Sequence, residues 1–415
     1  MKQILVVGSG TGGTLTANLL SSSLRGRIRD GDVSVTLVGE GAKHPFQPAN
    51  LDIAFKGASP ESFVREERDL LSDGVTFIED PAATIDLKGK RILTEGGRKL
   101  SYDYLVIATG AVADPDRISG LREDSFNFHT GPRDAGRLWS ALQSFKGGTI
   151  VIAIAGTPHK CPPSPNEAAF MLDELFTKRG IRDRVTIKFL TPYPRPYPAE
   201  KISNVVAPLL EEKGVEVVPF FNVDSVDPKS HTISSLEGES YEYDMLITVP
   251  PHRGADVILR SSIGDQDGWI PTERGTMNVK GYSDVYALGD ATDIPVSKSG
   301  VVAHLQSVVV AKNIVSDLEG STERLEYNGR INCPMEVGGR RAIFVSATYT
   351  SPASDQKPSF VKYVMKKSFV LLYWRALGGS LEWIFDIFFG QTRKPVAKAE
   401  EKAMVAPLPQ VTQGR

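Results

Sequence analysis

Gln3-Ile4-Leu5-Val6-Val7-Gly8-Ser9-Gly10-Thr11-Gly12-Gly13 is an apolar run of strand length that stops at a glycine-dense turn, and an apolar segment of helical character follows from near Thr14. Gly8, Gly10 and Gly13 fill the glycine positions of G-x-G-x-x-G, which serve a tight turn, close approach of a diphosphate to the backbone and close helix–strand packing. A second apolar run, Val33 to Val38, ends at Glu40, an acid placed to take the hydroxyls of an adenosine ribose. Between them, Ser21 to Asp32 is rich in Ser, Arg and Gly and predicts a loop or a helical extension. The N-terminal region therefore predicts a dinucleotide-binding domain.

The same alternation recurs further on. Strands are expected over Thr149 to Ala155, Arg184 to Leu190 and Val215 to Val218, with helices over Asn166 to Lys178 and Ile202 to Lys213. That rhythm predicts a second parallel sheet. Its first turn, however, reads Gly156-Thr157-Pro158-His159-Lys160-Cys161-Pro162-Pro163. Proline has no N–H to offer a diphosphate, so this second nucleotide site is predicted to be degenerate.

Composition narrows the remaining classes. The chain has 415 residues, 41% hydrophobic and 24% charged, enough for two or three globular domains. A net charge of -2 gives no basic footprint for nucleic acid. The N-terminus enters a strand without the layout of a secretory signal, which predicts a cytoplasmic protein. Phe369 to Trp374 and Trp383 to Phe389 are far shorter than the roughly 20 apolar residues of a membrane span. Two cysteines, Cys161 and Cys333, exclude a stapling framework, and no metal site is expected.

Two further segments indicate which dinucleotide the first domain takes. Tyr102-Asp103-Tyr104-Leu105-Val106-Ile107-Ala108-Thr109-Gly110 resembles the segment with which two-dinucleotide-domain flavoproteins leave their FAD domain, and Val285-Tyr286-Ala287-Leu288-Gly289-Asp290 resembles their second FAD signature. With Lys160-Cys161-Pro162-Pro163-Ser164-Pro165-Asn166-Glu167, Pro250-Pro251-His252-Arg253-Gly254 and Tyr327-Asn328-Gly329-Arg330-Ile331-Asn332-Cys333, the chain resembles the sulfide:quinone oxidoreductase family to about Gly390. The resemblance implies FAD held by Gly8, Gly10, Gly13, Glu40, Ala108, Thr109, Gly110, Gly289 and Asp290, with Lys298 near the flavin pyrimidine. It implies that Cys161 and Cys333 form the redox pair that hydrogen sulfide attacks, Cys333 being the thiolate nearer the flavin, and that two electrons then pass to a quinone. The expected product is polysulfide or elemental sulfur.

Where many members of that family carry a third cysteine, Asp124 to Thr130 holds His129 and no cysteine, so FAD is expected to be bound noncovalently. The family's second-domain histidine also has no counterpart in Tyr193 to Tyr197. Glu167, on the first turn of its helix, is the nearest acid to Cys161 and the candidate proton acceptor, with a dipole-favoured helix-start acid as its alternative reading. His129 and His252 are the lesser candidates.

The C-terminal region carries the membrane expectation. Over Phe360 to Leu372 a helical wheel groups Phe360, Val361, Val364, Met365, Leu371 and Leu372 opposite Lys362, Lys366 and Lys367. A second stretch places Leu381, Trp383, Ile384, Phe385, Ile387, Phe388 and Phe389 around Glu382 and Asp386. These faces suit a monotopic protein lying on membrane lipid at the cytoplasmic face, with Lys362, Phe360, Trp383, Phe385 and Phe388 at the quinone and lipid. The alternative is packing on the core or on the partner of a homo-oligomer. The flavin signatures and both cysteines precede this region, which is expected to serve only lipid and quinone.

The resulting fold class is α/β, two Rossmann-like dinucleotide-binding domains plus a C-terminal region with amphipathic membrane-binding helices. The expected boundaries are 1–110 with 274–324 for FAD, 111–273 for the degenerate domain, 325–392 for the C-terminal region, and 393–415 for a disordered tail. Three rivals share parts of this pattern. A type II NADH:quinone dehydrogenase needs a glycine-rich second loop; a soluble flavin-dependent thiol or persulfide oxidoreductase needs no apolar C-terminal faces; a noncatalytic flavoprotein shows no bleaching by sulfide.

Overall fold

The computed structural model describes residues 1–354 and 356–379. Its first part runs β1 (Lys2–Val7), α1 (Thr11–Ser23), β2 (Val33–Gly39), β3 (Val75–Glu79) and β4 (Tyr104–Ile107). The second comprises β5 (Gly148–Ile154), α2 (Ser164–Lys178), β6 (Val185–Leu190), α3 (Glu200–Glu212), β7 (Val215–Val218) and β8 (Met245–Val249). The chain then returns through β9 (Val285–Ala287) and α4 (Gly300–Leu318), and continues as the hairpin β10 (Ile331–Glu336), β11 (Ala342–Ala347) and the helix α5 (Phe360–Leu377).

Two parallel sheets organise these elements. The first has the order β9-β4-β1-β2-β3, so the late strand β9 pairs with β4 and rebuilds the domain that the chain had left. The second has the order β7-β6-β5-β8. The strands β1, β4 and β5 are apolar without alternation, as strands covered on both faces must be, and β8 is buried at every residue. In the Ser21 to Asp32 connection the helical alternative is realised: α1 runs to Ser23 and a short helix, Arg25–Arg29, follows. Two antiparallel meanders, over 82–101 and 223–242, flank the sheets.

Helix α4 is 19 residues long and apolar enough to cross a membrane by length and composition, yet 72% of that stretch is buried in the protein. Its hydrophobicity is explained by burial between α1 and the C-terminal hairpin, an apolar length that the sequence analysis did not single out. Cys333 lies inside β10.

Helix α5 has the two faces read from the sequence, with the apolar one turned outward. Phe360 is 53% exposed, Val361 66%, Val364 43% and Leu371 78%. The Lys366 and Lys367 side chains, at 15% and 31%, turn inward to carboxylates. Its C-terminal turn is buried against α1, where Asn18 Nδ2 donates to the Leu377 carbonyl at 2.7 Å. Trp383, Phe385 and Phe388, like the segment 393–415, lie outside the described residues.

Candidate active site

The first glycine loop shows a separate reason for each glycine. A Cβ on Gly8, whose φ is +106°, would sit 2.4 Å from the Ala108 carbonyl oxygen, and one on Gly13 would sit 1.8 Å from that of Gly8. Gly10 meets nothing within 4 Å and opens into a cleft. Helix α1 starts there with no side-chain cap, leaving its first N–H groups for an anion. Glu40 follows directly on β2 and is exposed, where a ribose would pass.

The cleft has a cavity volume of about 260 Å³ and opens to solvent. Ala108, Gly110, Gly289 and Asp290 line it beside Gly10. Among the described residues, Asp290 Oδ1 and Thr109 Oγ1 are buried without a partner. Burial raises the Asp290 carboxyl, with Lys298 and Lys160 opposing. A hydroxyl-bearing dinucleotide fits this arrangement: an open glycine, free helix-start N–H groups and an orphaned carboxylate oxygen to accept from a polyol.

Lys298 also borders the cleft, but its ammonium donates to the carbonyls of Asp290 at 3.0 Å and Thr292 at 2.9 Å and lies 3.9 Å from the Trp269 ring centroid. It braces the Gly289–Ala291 turn. The neighbouring strand segment brings Lys160 alongside, and that ammonium donates to Gln47 Oε1 at 3.3 Å.

Both cysteines are free thiols on this one cleft. Cys161 stands where a glycine would in an ordinary nucleotide turn, with φ of +52°. The conformation is held on both sides: its N–H donates to the Lys298 carbonyl at 2.8 Å, and its carbonyl accepts from Ser164 N at 2.9 Å and Ser164 Oγ at 2.8 Å. His129 Nε2 lies 3.0 Å from that Ser164 oxygen. Burial, then Glu167 and Cys333, push the Cys161 thiol up to about 12. Cys333, in β10, has Ser299 Oγ at 3.6 Å and Ser297 Oγ at 3.7 Å from its sulfur; burial raises its thiol against those hydrogen bonds.

Glu167 is 1% exposed on the first turn of α2. Its Oε1 accepts the Glu336 backbone N–H at 2.7 Å and the Lys366 ammonium. Burial raises its carboxyl above the ordinary range against the pull of Lys366. Glu336 extends the network, taking Lys56 at 2.7 Å and Lys367 at 3.0 Å, while Asp52 takes Lys56 and Lys367, both at 2.9 Å. Burial works against the Glu336 charge, but Lys366, Lys56 and Lys367 outweigh it and hold that carboxyl down at about 2. Helix α5 is thereby bound to β10, which carries Cys333, and to α2, which follows the Cys161 turn.

Among the other site residues, Lys362 turns away from the cleft, donating to Gln356 Oε1 at 2.7 Å and the Lys357 carbonyl at 2.9 Å. The α5 residues that do face the cleft are Lys366, Phe369, Val370 and Tyr373. The helical wheel puts Lys366 opposite the apolar residues without saying what it meets, and Glu336 carries no signal beyond lying close to Cys333. His252 Nδ1 donates to the Pro250 carbonyl at 2.8 Å, its Nε2 buried without a partner among the described residues. Among those residues no group of three or more His, Cys, Asp or Glu could hold a metal ion.

Residues 2–313 match the family described as Pyridine nucleotide-disulphide oxidoreductase. The chain is 27% identical over 392 residues to the mitochondrial sulfide:quinone oxidoreductase of Mus musculus, covering 90% of this chain and 86% of that protein. It is 24% identical over 388 residues to a type II NADH:quinone oxidoreductase of Staphylococcus aureus, covering 88% of this chain and 94% of that one. In fold it matches the crystal structure of the Aquifex aeolicus sulfide:quinone oxidoreductase with a TM-score of 0.85 at 23% identity, over 97% of this chain and 98% of that one. The chain is a flavin-dependent oxidoreductase belonging to the pyridine nucleotide-disulphide oxidoreductase family.

Proposed function

We propose that the protein oxidises sulfide at the Cys161/Cys333 pair and passes the electrons through noncovalently held FAD to a quinone. The observation that carries this reading is that two thiols from different elements share the flavin cleft with a buried acid, Glu167, while the second nucleotide turn is filled by proline. A hydrosulfide attacking a Cys161–Cys333 bridge breaks the S–S bond, leaving a persulfide on one sulfur and a thiolate on the other. Each hydrosulfide so consumed gives one sulfur atom to a growing chain, one proton and two electrons. Glu167 takes the proton at its carboxylate, Lys366 orients that carboxylate, and the bound flavin supplies two-electron chemistry linking thiols to quinone. Polysulfide or elemental sulfur leaves as product.

Phe360, Val361, Val364 and Leu371 form an outward apolar row on the helix whose inner face borders the cleft. That combination supports a monotopic protein which rests on lipid and admits a hydrophobic quinone beside α5. Anaerobic titration of the flavin spectrum with sulfide and then with quinone tests the reading: sulfide bleaches the flavin, quinone restores it, and Cys161→Ser or Cys333→Ser abolishes the first step while keeping the flavin. Bleaching that survives in Cys161→Ser sinks the redox pair.

The NADH-dehydrogenase reading draws on the Staphylococcus relative. Against it, Pro162 and Pro163 precede α2 and the buried Glu167 carboxylate occupies its first turn, where a diphosphate would need donors and no negative charge. NADH reducing the flavin as fast as sulfide does would favour that reading instead.

A further inference from the structure

Helix α5 reaches the dinucleotide loop through one side chain outside the thiol and carboxylate machinery. Tyr373 Oη lies 2.8 Å from Thr11 Oγ1, at the start of α1, and 2.8 Å from His44 Nε2. His44 Nδ1 lies 2.9 Å from Glu67 Oε2, and Thr14 Oγ1 donates to Glu67 Oε1 at 2.6 Å. The hydrogen bonds close a ring from α1 through Glu67, His44 and Tyr373 back to α1. Thr14, His44, Glu67 and Tyr373 are buried, and Thr11 lines the cleft.

One consistent assignment of donors and acceptors closes this ring. An ionised Glu67 can only accept, so Thr14 O–H and His44 Nδ1–H both donate to it. The Nε2 of a neutral His44 then accepts the Tyr373 O–H, and the tyrosine oxygen is left to accept from Thr11. The bonds to Glu67 and His44 lie in the buried interior, where an unmade one is costly, and the bond to Thr11 lies at the cleft wall. The ring bears on the first turn of α1, whose uncapped N–H groups face the flavin diphosphate in the reading above. Nothing in the sulfur chemistry calls for it.

We propose that Tyr373 is a positioning residue for the flavin. Through Thr11 it fixes the first turn of α1, so retention of the cofactor depends on α5 being docked, contrary to the expectation that everything from Phe360 onward serves only lipid and quinone. The proposal rests on the flavin reading of the cleft and is independent of which donor or acceptor the enzyme uses.

The test is the affinity and release rate of FAD in the full-length holoprotein, read by the fluorescence of freed flavin, in wild type, Tyr373→Phe, Thr11→Val and the double variant. Tyr373→Phe keeps the ring against Phe46, whose centroid is 4.3 Å away, and removes only the hydroxyl. The expected result is FAD bound about tenfold more weakly, from the loss of the hydroxyl's hydrogen bonds to Thr11 and His44, with far-ultraviolet circular dichroism and protease resistance of α5 as in wild type. In the Thr11→Val background the tyrosine change adds no further loss. Unchanged FAD affinity in Tyr373→Phe, or losses that add in the double variant, overturns the proposal.

Discussion

Lys366, on the inward face of α5, donates a hydrogen bond to Glu167 on the first turn of α2; the Glu167 side chain is buried and that of Lys366 only 15% exposed. Breaking such a pair from one side strands an uncompensated charge, which costs about 3–5 kcal/mol. Lys366→Met is therefore expected to lower the stability of the holoprotein by that order. Lys366→Met/Glu167→Gln removes both charges and recovers much of the loss. Urea midpoints of the three proteins check this, and a double variant as unstable as Lys366→Met would show that the pair is not what holds α5.

Under the proposed function Glu167 is also expected to govern pH dependence. Its carboxyl is raised by burial, with Lys366 opposing, and it must be deprotonated to accept a proton. The rate of flavin bleaching by sulfide should therefore rise with pH through a carboxyl range above that of a free glutamate. Glu167→Gln should remove that limb and slow bleaching by about 10²–10⁴. Stopped-flow absorbance across pH checks both, and a Glu167→Gln profile that keeps the acid limb assigns it to another group.

Three buried histidines make the fold acid-sensitive. Burial, opposed by a hydrogen bond to the Lys160 carbonyl, lowers His159 to about 4; burial, then Lys160 and His159, lower His252 to about 2; His129 is also lowered by burial and these neighbours. An unfolded histidine binds its proton near pH 6.5. Between that pH and the folded value the unfolded chain holds more protons, so stability falls as pH drops. His159 alone accounts for about 2 kcal/mol between pH 6.5 and 5. His159→Gln should flatten the fall, read as urea midpoints at pH 7 and 5; an equally steep fall in the variant would place the acid sensitivity elsewhere.

The sheets and the glycine turn were legible because each rests on local rules. Strand Val215–Val218 is where its apolar run predicts, and Gly8 and Gly13 are needed by close backbone contacts within the motif. What stayed hidden depended on distant partners. Lys366 reads as a polar-face lysine until Glu167 and Glu336 are brought beside it, and Lys298 reads as a free cation until the Asp290 and Thr292 carbonyls enclose it. The wheel of α5 likewise gave two faces, but only the carboxylates from other elements decide that lysines face in and Phe360 faces out.

That outward apolar row is the basis of the last prediction. Leu371 and Val364 lie on the outward row, at 78% and 43% exposure, and neither lines the cleft. A leucine or valine side chain moved from water into lipid gains about 1.5–3 kcal/mol, so several on one face give real attachment. Val364→Glu/Leu371→Glu should cosediment with liposomes far less than wild type, with an unchanged flavin spectrum and unchanged bleaching by sulfide. Reduction of a long-tailed quinone embedded in vesicles should fall, while that of a short water-soluble quinone should not. Equal cosedimentation of the variant and the wild type would mean that this row meets another protein surface rather than lipid.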